Sequence, residues 1–435
     1  MNESDVAYAA ANAVKNILAH SAELNAGKDA QNALNKAKEV ALAKKAGGDA
    51  DAGYAVDQIT EILGKHATDG GFTLNVNSKK LSAGGKETFN KNGENIALSF
   101  DWIADGEATV VLRGVPVARL TTDKVEIVGG KKSLALNPKG EYNTLEVRIV
   151  ADRLFVVSNG ESLVANAVLK ETVGAVKNPV AGAMELVANS GSINLRNANV
   201  CNLPSTPVYT LSDEEKKAGF EILFDGRSLD NWQGNTTGYT PDNGTIFVTA
   251  NYGGSGNLYT KKKYSDFVYR FDFRYETPGV NNGVGIRTNI GSDAAYDGME
   301  IQILDHDDPI YAGLQPYQMH GSVYGICVPK HITFKQNTWY TEEIRAVGDR
   351  ITVTVNGEVI TDCNIREACK GHNVAPDGGE KNPYTVDHKN HPGLFNKDGY
   401  VSFCGHGAGV RFRNIRILDL SKNAKKTVKK TTKRK

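Results

Sequence analysis

The feature that most constrains this chain is a pattern that occurs twice. Asp152-Arg153, followed by Asn159-Gly160-Glu161, returns at the same spacing as Asp349-Arg350 followed by Asn356-Gly357-Glu358. The preceding runs correspond too: Asn143-Thr144-Leu145-Glu146-Val147-Arg148 with Thr341-Glu342-Glu343-Ile344-Arg345, and Phe100-Asp101 with Phe271-Asp272. Near the end of each copy, Leu195-Arg196-Asn197 matches Phe412-Arg413-Asn414. A repeat this long is a duplicated domain, not a solenoid. Short alternating apolar and polar runs with Gly84-Gly85, Gly129-Gly130 and Asn159-Gly160 turns predict hairpins, hence a jelly-roll β-sandwich in each copy.

Around this duplication the chain divides into five parts. Residues 1–66 are rich in Ala and Lys, and Val6, Ala9, Ala13, Ile17 and Leu18 recur at helical spacing, as do Val56, Ile59, Ile62 and Leu63. Two or three helices follow, broken near Gly47-Gly48. The first sandwich spans 72–202, a linker 203–217 contains Leu203-Pro204-Ser205-Thr206-Pro207, and the second sandwich spans 218–420. Ser212-Asp213-Glu214-Glu215 has the form of a capped short helix. Residues 421–435 hold eight basic and no acidic residues, which predicts a disordered tail. The fold class expected is therefore mainly β, two tandem sandwiches with a helical N-terminal segment.

Charge and motifs narrow the function. The other 420 residues carry 43 basic against 50 acidic residues. An acidic body without a basic, aromatic-interleaved face argues against a nucleic-acid protein. No apolar run has the length of a membrane span. No G-x-G-x-x-G or Walker loop is present, and the five cysteines include no C-x-x-C pair. Cys363 and Cys369 are close enough in sequence to pair if the loop between them bends back. The first residues do not form a signal peptide.

Candidate chemistry lies in the second copy, where seven of the nine histidines follow residue 300. Tyr296 to Asp305 reads as a strand with Glu300 and Gln302 on one face and Met299, Ile301 and Ile303 on the other. The polar face is expected to be a concave, open groove, with Asp305 at its rim. Val280 to Arg287 is a glycine-containing strand in which Asn282 and Arg287 are candidate ligands of a hydroxyl or carbonyl group. His320, Ser322 and Tyr324 alternate onto one face and include two proton carriers. Asp305-His306-Asp307-Asp308 is a cluster of hard donors. Residues 371–396 form a long irregular insertion absent from the first copy, and His406 lies in a glycine-flanked turn. Trp232, Tyr239, Trp339 and Tyr384 are candidate sugar-stacking rings, Trp339 being the one whose strand position suits the core.

Several of these blocks resemble one family. Phe220-Glu221-Ile222-Leu223-Phe224-Asp225-Gly226-Arg227-Ser228-Leu229-Asp230-Asn231-Trp232 is similar to the LFDG-x-x-L-x-x-W opening of the 3-keto-disaccharide hydrolase family. Asn282-Gly283-Val284, Gly298 to Asp305, Gly321 to Gly325 and Arg411 to Ile417 follow its remaining blocks in order, over about 218–420. The resemblance implies a concanavalin-A-like sandwich, related in architecture to laminarinase-type glucanases. Where those glucanases carry Glu-x-Asp-x-x-Glu, this chain has Glu300, Gln302 and Asp305. Where the family often has Leu-Gln-x-His-Gly, this chain has Phe403-Cys404-Gly405-His406-Gly407, so only His406 transfers.

The resemblance implies hydrolysis of 3-keto-glycosides in carbohydrate breakdown. A ketone at C3 acidifies the hydrogen on C2; a base removes it, the anomeric group leaves by β-elimination, and water adds. Glu300 or His406 would be the base, Tyr324 or His320 the acid, and Arg287 or one divalent metal ion near Asp305 and His406 the partner of the enolate. Gln302, Asn282, Asp305 and Trp232 would bind the sugar. The alternatives are a non-catalytic carbohydrate-binding sandwich and a laminarinase-type glycoside hydrolase. The implied partner is an oxidised glycoside or oligosaccharide, and the implied compartment is the periplasm or exterior, with the cytoplasm as the alternative.

Overall fold

A computed structural model of the chain describes residues 3–20, 28–47, six positions between 52 and 62, and then 72–129, 132–175, 179–248, 256–372, 383–407 and 409–421. The expected tail beyond Ser421 and the middle of the 371–396 insertion lie outside the described residues. The chain divides into two compact units, Met1–Thr206 and Pro207–Lys435.

The first unit opens with helices Glu3–His20 and Lys28–Ala46. Their core is Ala11, Leu34, Ala37 and Ala41 with Ala55, Val56, Ile59 and Ile62. The stripe expected from Val6 and Ile17 is not the buried one, since these are 55% and 57% exposed. Alanine-on-alanine contact lets helices approach closely, so the larger side chains were the wrong guide to the buried face.

The remaining strands of this unit form one ten-stranded sheet around a single apolar core. Strands Ile96–Leu112 and Gly182–Asn202 pair antiparallel along nearly their whole lengths. On its other edge, Ile96–Leu112 pairs with Asn143–Val150 through its first half and with Val115–Leu120 through its second. Facing glycines, Gly106 at φ 143° and Gly191 at φ 59°, mark the change of partner. One pair of long strands thus supplies both layers.

The second unit has the same plan with those long strands broken. An eight-stranded sheet runs Tyr239–Asp242, Thr245–Val248, Val410–Asp419, Phe267–Tyr275, Tyr340–Val347, Arg350–Val355, Glu358–Asn364, with Glu221–Phe224 also on Val410–Asp419. A five-stranded sheet runs Trp232–Gly234, Leu258–Tyr264, Gly399–Cys404, Asn281–Thr288, Met299–Leu304. Aromatic and β-branched side chains from both fill the space between them. Ser212 caps helix Asp213–Ala218 in a capping box with Glu215, as the sequence predicts.

The registers of the two units correspond. Asp101 lies opposite both Thr144 and Arg196, and Asp272 lies opposite both Thr341 and Arg413. The Arg–Asp contacts are 3.0 and 3.1 Å. Asn159 accepts the Thr144 N–H, and Asn356 the Thr341 N–H. A buried arginine is shared as well. Arg287 (φ 52°) donates to the carbonyls of Ser265 and Gly348 and to Asp266. Arg113 (φ 51°) donates to the carbonyls of Glu94 and Ala151 and to Asn95. Asp266 and Asn95 each also accept the turn N–H, from Gly348 and Ala151. Arg287, read from sequence as a substrate ligand, is therefore a structural clasp that both units possess. Arg287→Ala should lower the unfolding free energy of the second unit by roughly 3 kcal/mol, the scale of buried hydrogen bonds to a charged group. Differential scanning calorimetry of that variant checks this.

The cysteine expectation is corrected. Cys363 bonds to Cys327, with Cα atoms 6.2 Å apart, and Cys369 is free. The turn Glu367–Cys369 directs the Cys369 thiol back to the Ile365 carbonyl, away from Cys363. The bridge ties the segment after Tyr324 to strand Glu358–Asn364.

The core of the second unit contains a carboxyl group. Glu342 occupies the register position of Leu145 in the first unit and is fully buried. His320 Nε2 lies 3.2 Å from it. The Leu304 N–H and the Tyr275 hydroxyl both address His320 Nδ1, so the imidazole hydrogen is on Nε2, the nitrogen nearer Glu342. Burial pushes Glu342 well above the usual carboxyl range and His320 down to about 3. Both groups thus fold neutral. A carboxyl whose folded pKa is raised loses stability as pH rises above its unfolded value near 4.5; the depressed histidine loses it as pH falls below 6.5. Glu342→Gln should raise the thermal midpoint at pH 8 by a few degrees, with the gain shrinking toward pH 5; midpoints measured across that range test it.

Candidate active site

The five-stranded sheet places the site. Glu300 lies opposite Gly285 and Gln302 opposite Gly283 on strand Asn281–Thr288. On the other side of that strand, Ser402 faces Gly285 and Cys404 faces Gly283. Met299, Ile301 and Ile303 enter the core with Val284 and Phe403. Glu300, Gln302, Ser402 and Cys404 therefore share the opposite face. A β-carbon at Gly283 would lie 2.0 Å from Glu300 Oε1, so only glycine leaves room for that carboxylate.

His406 follows Cys404 by two residues, and its Nε2 lies 2.9 Å from Glu300 Oε1. The two expected catalytic residues, about a hundred positions apart in sequence, are in direct contact. The face is not the open groove expected, because Glu300 is 4% exposed while His406, over it, is 45% exposed. The solvent-facing group is the imidazole. Its hydrogen bond to Glu300 holds the imidazolium above the usual histidine range, aided by the charges of Glu300 and Asp293 and opposed by burial. With Nε2–H directed to Glu300, Nδ1 is the atom free to take a proton.

Tyr324 joins this face. Val323 bridges Ile301 and both point into the core, so Tyr324, whose N–H donates to the Glu300 carbonyl, projects with Glu300. Its hydroxyl accepts from Gln318 Nε2 at 2.8 Å, which leaves the O–H hydrogen to donate elsewhere. Gln302 is held by Asn281 at 2.8 Å. The first unit has different residues at these registers. Pro116 lies opposite Val111 where Glu300 lies opposite Gly285, and Arg119 lies opposite Thr109 where Gln302 lies opposite Gly283.

The other sequence candidates are placed elsewhere. His320 is buried in the core with Tyr275 and Glu342, too far inside to serve a sugar. Asn282 faces the core, opposite Ile303, where it donates to Tyr239. Trp232 packs on Phe403 and donates to the Leu223 carbonyl. Tyr239 is also core, whereas Tyr384 is exposed. Trp339 is not core but sits half-buried between the guanidinium groups of Arg274 and Arg413.

Asp305 accepts from the Gly279 N–H and from Gln336, while His406 is engaged with Glu300, so the pair named for a metal ion does not come together. Among the described residues, His306, Asp307 and His331 form the one group of three donors within reach of a single ion. His306 Nδ1 accepts the His320 N–H, which puts the imidazole hydrogen on Nε2, the atom that would have to bind. That donor set does not fit a cation.

Residues 219–418 match the 3-keto-alpha-glucoside-1,2-lyase-like domain family. The C-terminal domain belongs to this family. Two proteins of Parabacteroides distasonis described as candidate glycosyl hydrolases are each 24% identical to the chain, with a TM-score of 0.39. They cover 46% and 48% of this chain and 98% of their own. A carbohydrate-binding module of Bacillus subtilis is 13% identical, covering 43% of this chain and 94% of its own, with a TM-score of 0.25. No curated protein matches the chain. Within the family domain, the residues sequence reasoning missed are Cys404, buried beside Glu300, and Lys389 with Tyr296. The insertion holding Lys389 was visible as irregular sequence, but nothing in it indicated which side chain returns to the sheet.

The dyad predicts a pH dependence. His406 is a base only when neutral, so activity should rise with pH through a value above 6.5. Glu300→Gln removes the anionic partner and should move that limb to lower pH; His406→Asn should abolish it. Rate profiles of the three proteins decide the matter, and an unmoved limb in Glu300→Gln would remove the dyad from the chemistry.

Proposed function

We propose that the C-terminal domain is a carbohydrate-active enzyme that cleaves 3-keto-glycosides by β-elimination followed by hydration. The observation that carries this reading is the His406–Glu300 contact, a solvent-facing imidazole oriented by a buried carboxylate. Such a pair removes a proton from carbon well when a neighbouring ketone acidifies it. Here His406 Nδ1 takes the C2 hydrogen and the C–H electrons form the enolate. Collapse of the enolate expels the anomeric oxygen, which receives a proton from the Tyr324 hydroxyl. Water then adds to the unsaturated ketosugar.

Ordinary two-carboxylate glycoside hydrolysis is less well supported. Glu300 and Asp305 are five residues apart along an extended segment, a rise of about 16 Å. Glycosidase pairs stand roughly 5–9.5 Å apart. Alternation also sends Asp305 to the other side of the strand from Glu300. The family membership of residues 219–418 supports the glycoside substrate class. The Cys327–Cys363 disulfide favours an oxidising compartment, the periplasm or the exterior.

The test is product analysis with a 3-keto-glucoside and its unoxidised parent. Release of the aglycone from the keto compound alone is the expected outcome. Equal release from both would point to a conventional glycosidase, and binding without release to a carbohydrate-binding module.

A further inference from the structure

Proton removal from C2 creates an enolate, and Arg287 is committed to its clasp, so the reaction lacks the cation the sequence suggested. The segment 383–398 supplies another. Its counterpart in the first unit, between Leu169 and Gly182, is short. In the second unit it is fixed to the two stretches that flank the dyad. Thr385 Oγ donates to the Gly325 carbonyl at 2.6 Å, next to Tyr324. The Gly393 N–H donates to the Tyr296 carbonyl at 2.8 Å, four residues before Glu300.

Its central pin is His391, which is fully buried. Nδ1 lies 2.9 Å from the Ala295 carbonyl, so it donates there, and Nε2 lies 3.1 and 3.2 Å from the two oxygens of Asp387. The ring also stacks on Tyr296, centroids 5.0 Å apart. Between Asp387 and His391 the chain projects Lys389. Its ammonium group donates to the Tyr296 hydroxyl at 3.0 Å and lies 5.5 Å from the ring centroid. Gly325, which the strap grips, adjoins Tyr324, and Tyr296, which Lys389 holds, precedes Glu300 by four residues. The strap thus carries an exposed cation on a buried anchor, tied to the stretches that lead into Tyr324 and Glu300.

We propose that Lys389 is a catalytic residue whose ammonium group binds the C3 oxygen of the substrate and stabilises the enolate. The inference rests on the 3-keto-glycoside reading. As the C2 proton passes to His406 the C3 carbonyl oxygen becomes anionic, and Lys389 moves its donor from the Tyr296 hydroxyl to that oxygen. When the enolate collapses the charge leaves with the anomeric oxygen and Lys389 returns to Tyr296. No oxidant or co-reactant is consumed.

The experiment follows a 3-keto-glucoside in deuterium oxide, scoring both deuterium entry at C2 and aglycone release. Lys389→Met should slow both by about 10²-fold, the scale for losing one oxyanion donor, with unchanged thermal midpoint because the side chain is exposed. Lys389→Arg should recover most of the rate, since a cation is restored. Turnover of Lys389→Met within a few-fold of the parent, a loss confined to KM, or no recovery in Lys389→Arg would overturn the role of Lys389 while leaving the reaction standing. A parent protein that neither exchanges nor releases would instead overturn the 3-keto-glycoside reading, and the role of Lys389 with it.

Discussion

In each unit one buried guanidinium gathers two backbone carbonyls and a turn side chain, and in doing so it fixes where one layer of the sandwich meets the other. Arg287 holds the turn before Phe267–Tyr275 and the turn after Tyr340–Val347 while standing at the end of Asn281–Thr288. That last strand is the template on which Met299–Leu304 and Gly399–Cys404 are registered. A slip of one residue on either side would turn Glu300 into the core or carry His406 past it. Because Arg113 makes the same contacts in a unit without the dyad, the clasp belongs to the architecture and the chemistry is an addition to it.

The two units show what such an addition requires. The first keeps its two layers on one continuous pair of strands and fills the relevant face with Thr109, Val111, Pro116 and Arg119. The second breaks those strands, places Gly283 and Gly285 at the centre, and gains Glu300, Gln302 and Cys404 around them. Small residues are what permit a carboxylate to lie flat on a sheet face under a histidine. The second unit also accepts a buried carboxyl at Glu342, a position filled by Leu145 in the first, with His320 Nε2 3.2 Å away. A neutral pair in the core costs less than an ionised one, which ties stability to pH at a place remote from the dyad.

Burial divides the roles within the site. A carboxylate 4% exposed cannot easily meet substrate, whereas an imidazole 45% exposed can. The sequence pointed first to Glu300 because its strand is amphipathic; the structure buries Glu300 beneath His406 and presents the imidazole to solvent. Tyr324 stands with them because strand alternation beside Ile301 leaves it no other face.

The sequence by itself showed the repeated pattern, the β architecture of both units, the family of the C-terminal domain, and Glu300 and His406 as candidates. These follow from local patterns: alternation, turn residues and ordered motifs are written within short windows. It could not determine which face of helix Glu3–His20 is buried, since alanine contacts carry little periodic signal, although the Val56, Ile59 and Ile62 stripe was legible. Nor could it separate Arg287 and His320, which serve the fold, from His406, which faces solvent, because all three are polar residues at regular strand or turn positions. The Cys327–Cys363 bridge and the return of Lys389 to Tyr296 were equally closed to it. Each depends on distances between segments remote in the chain, and those distances are set only when two sheets pack and a loop is pinned across them.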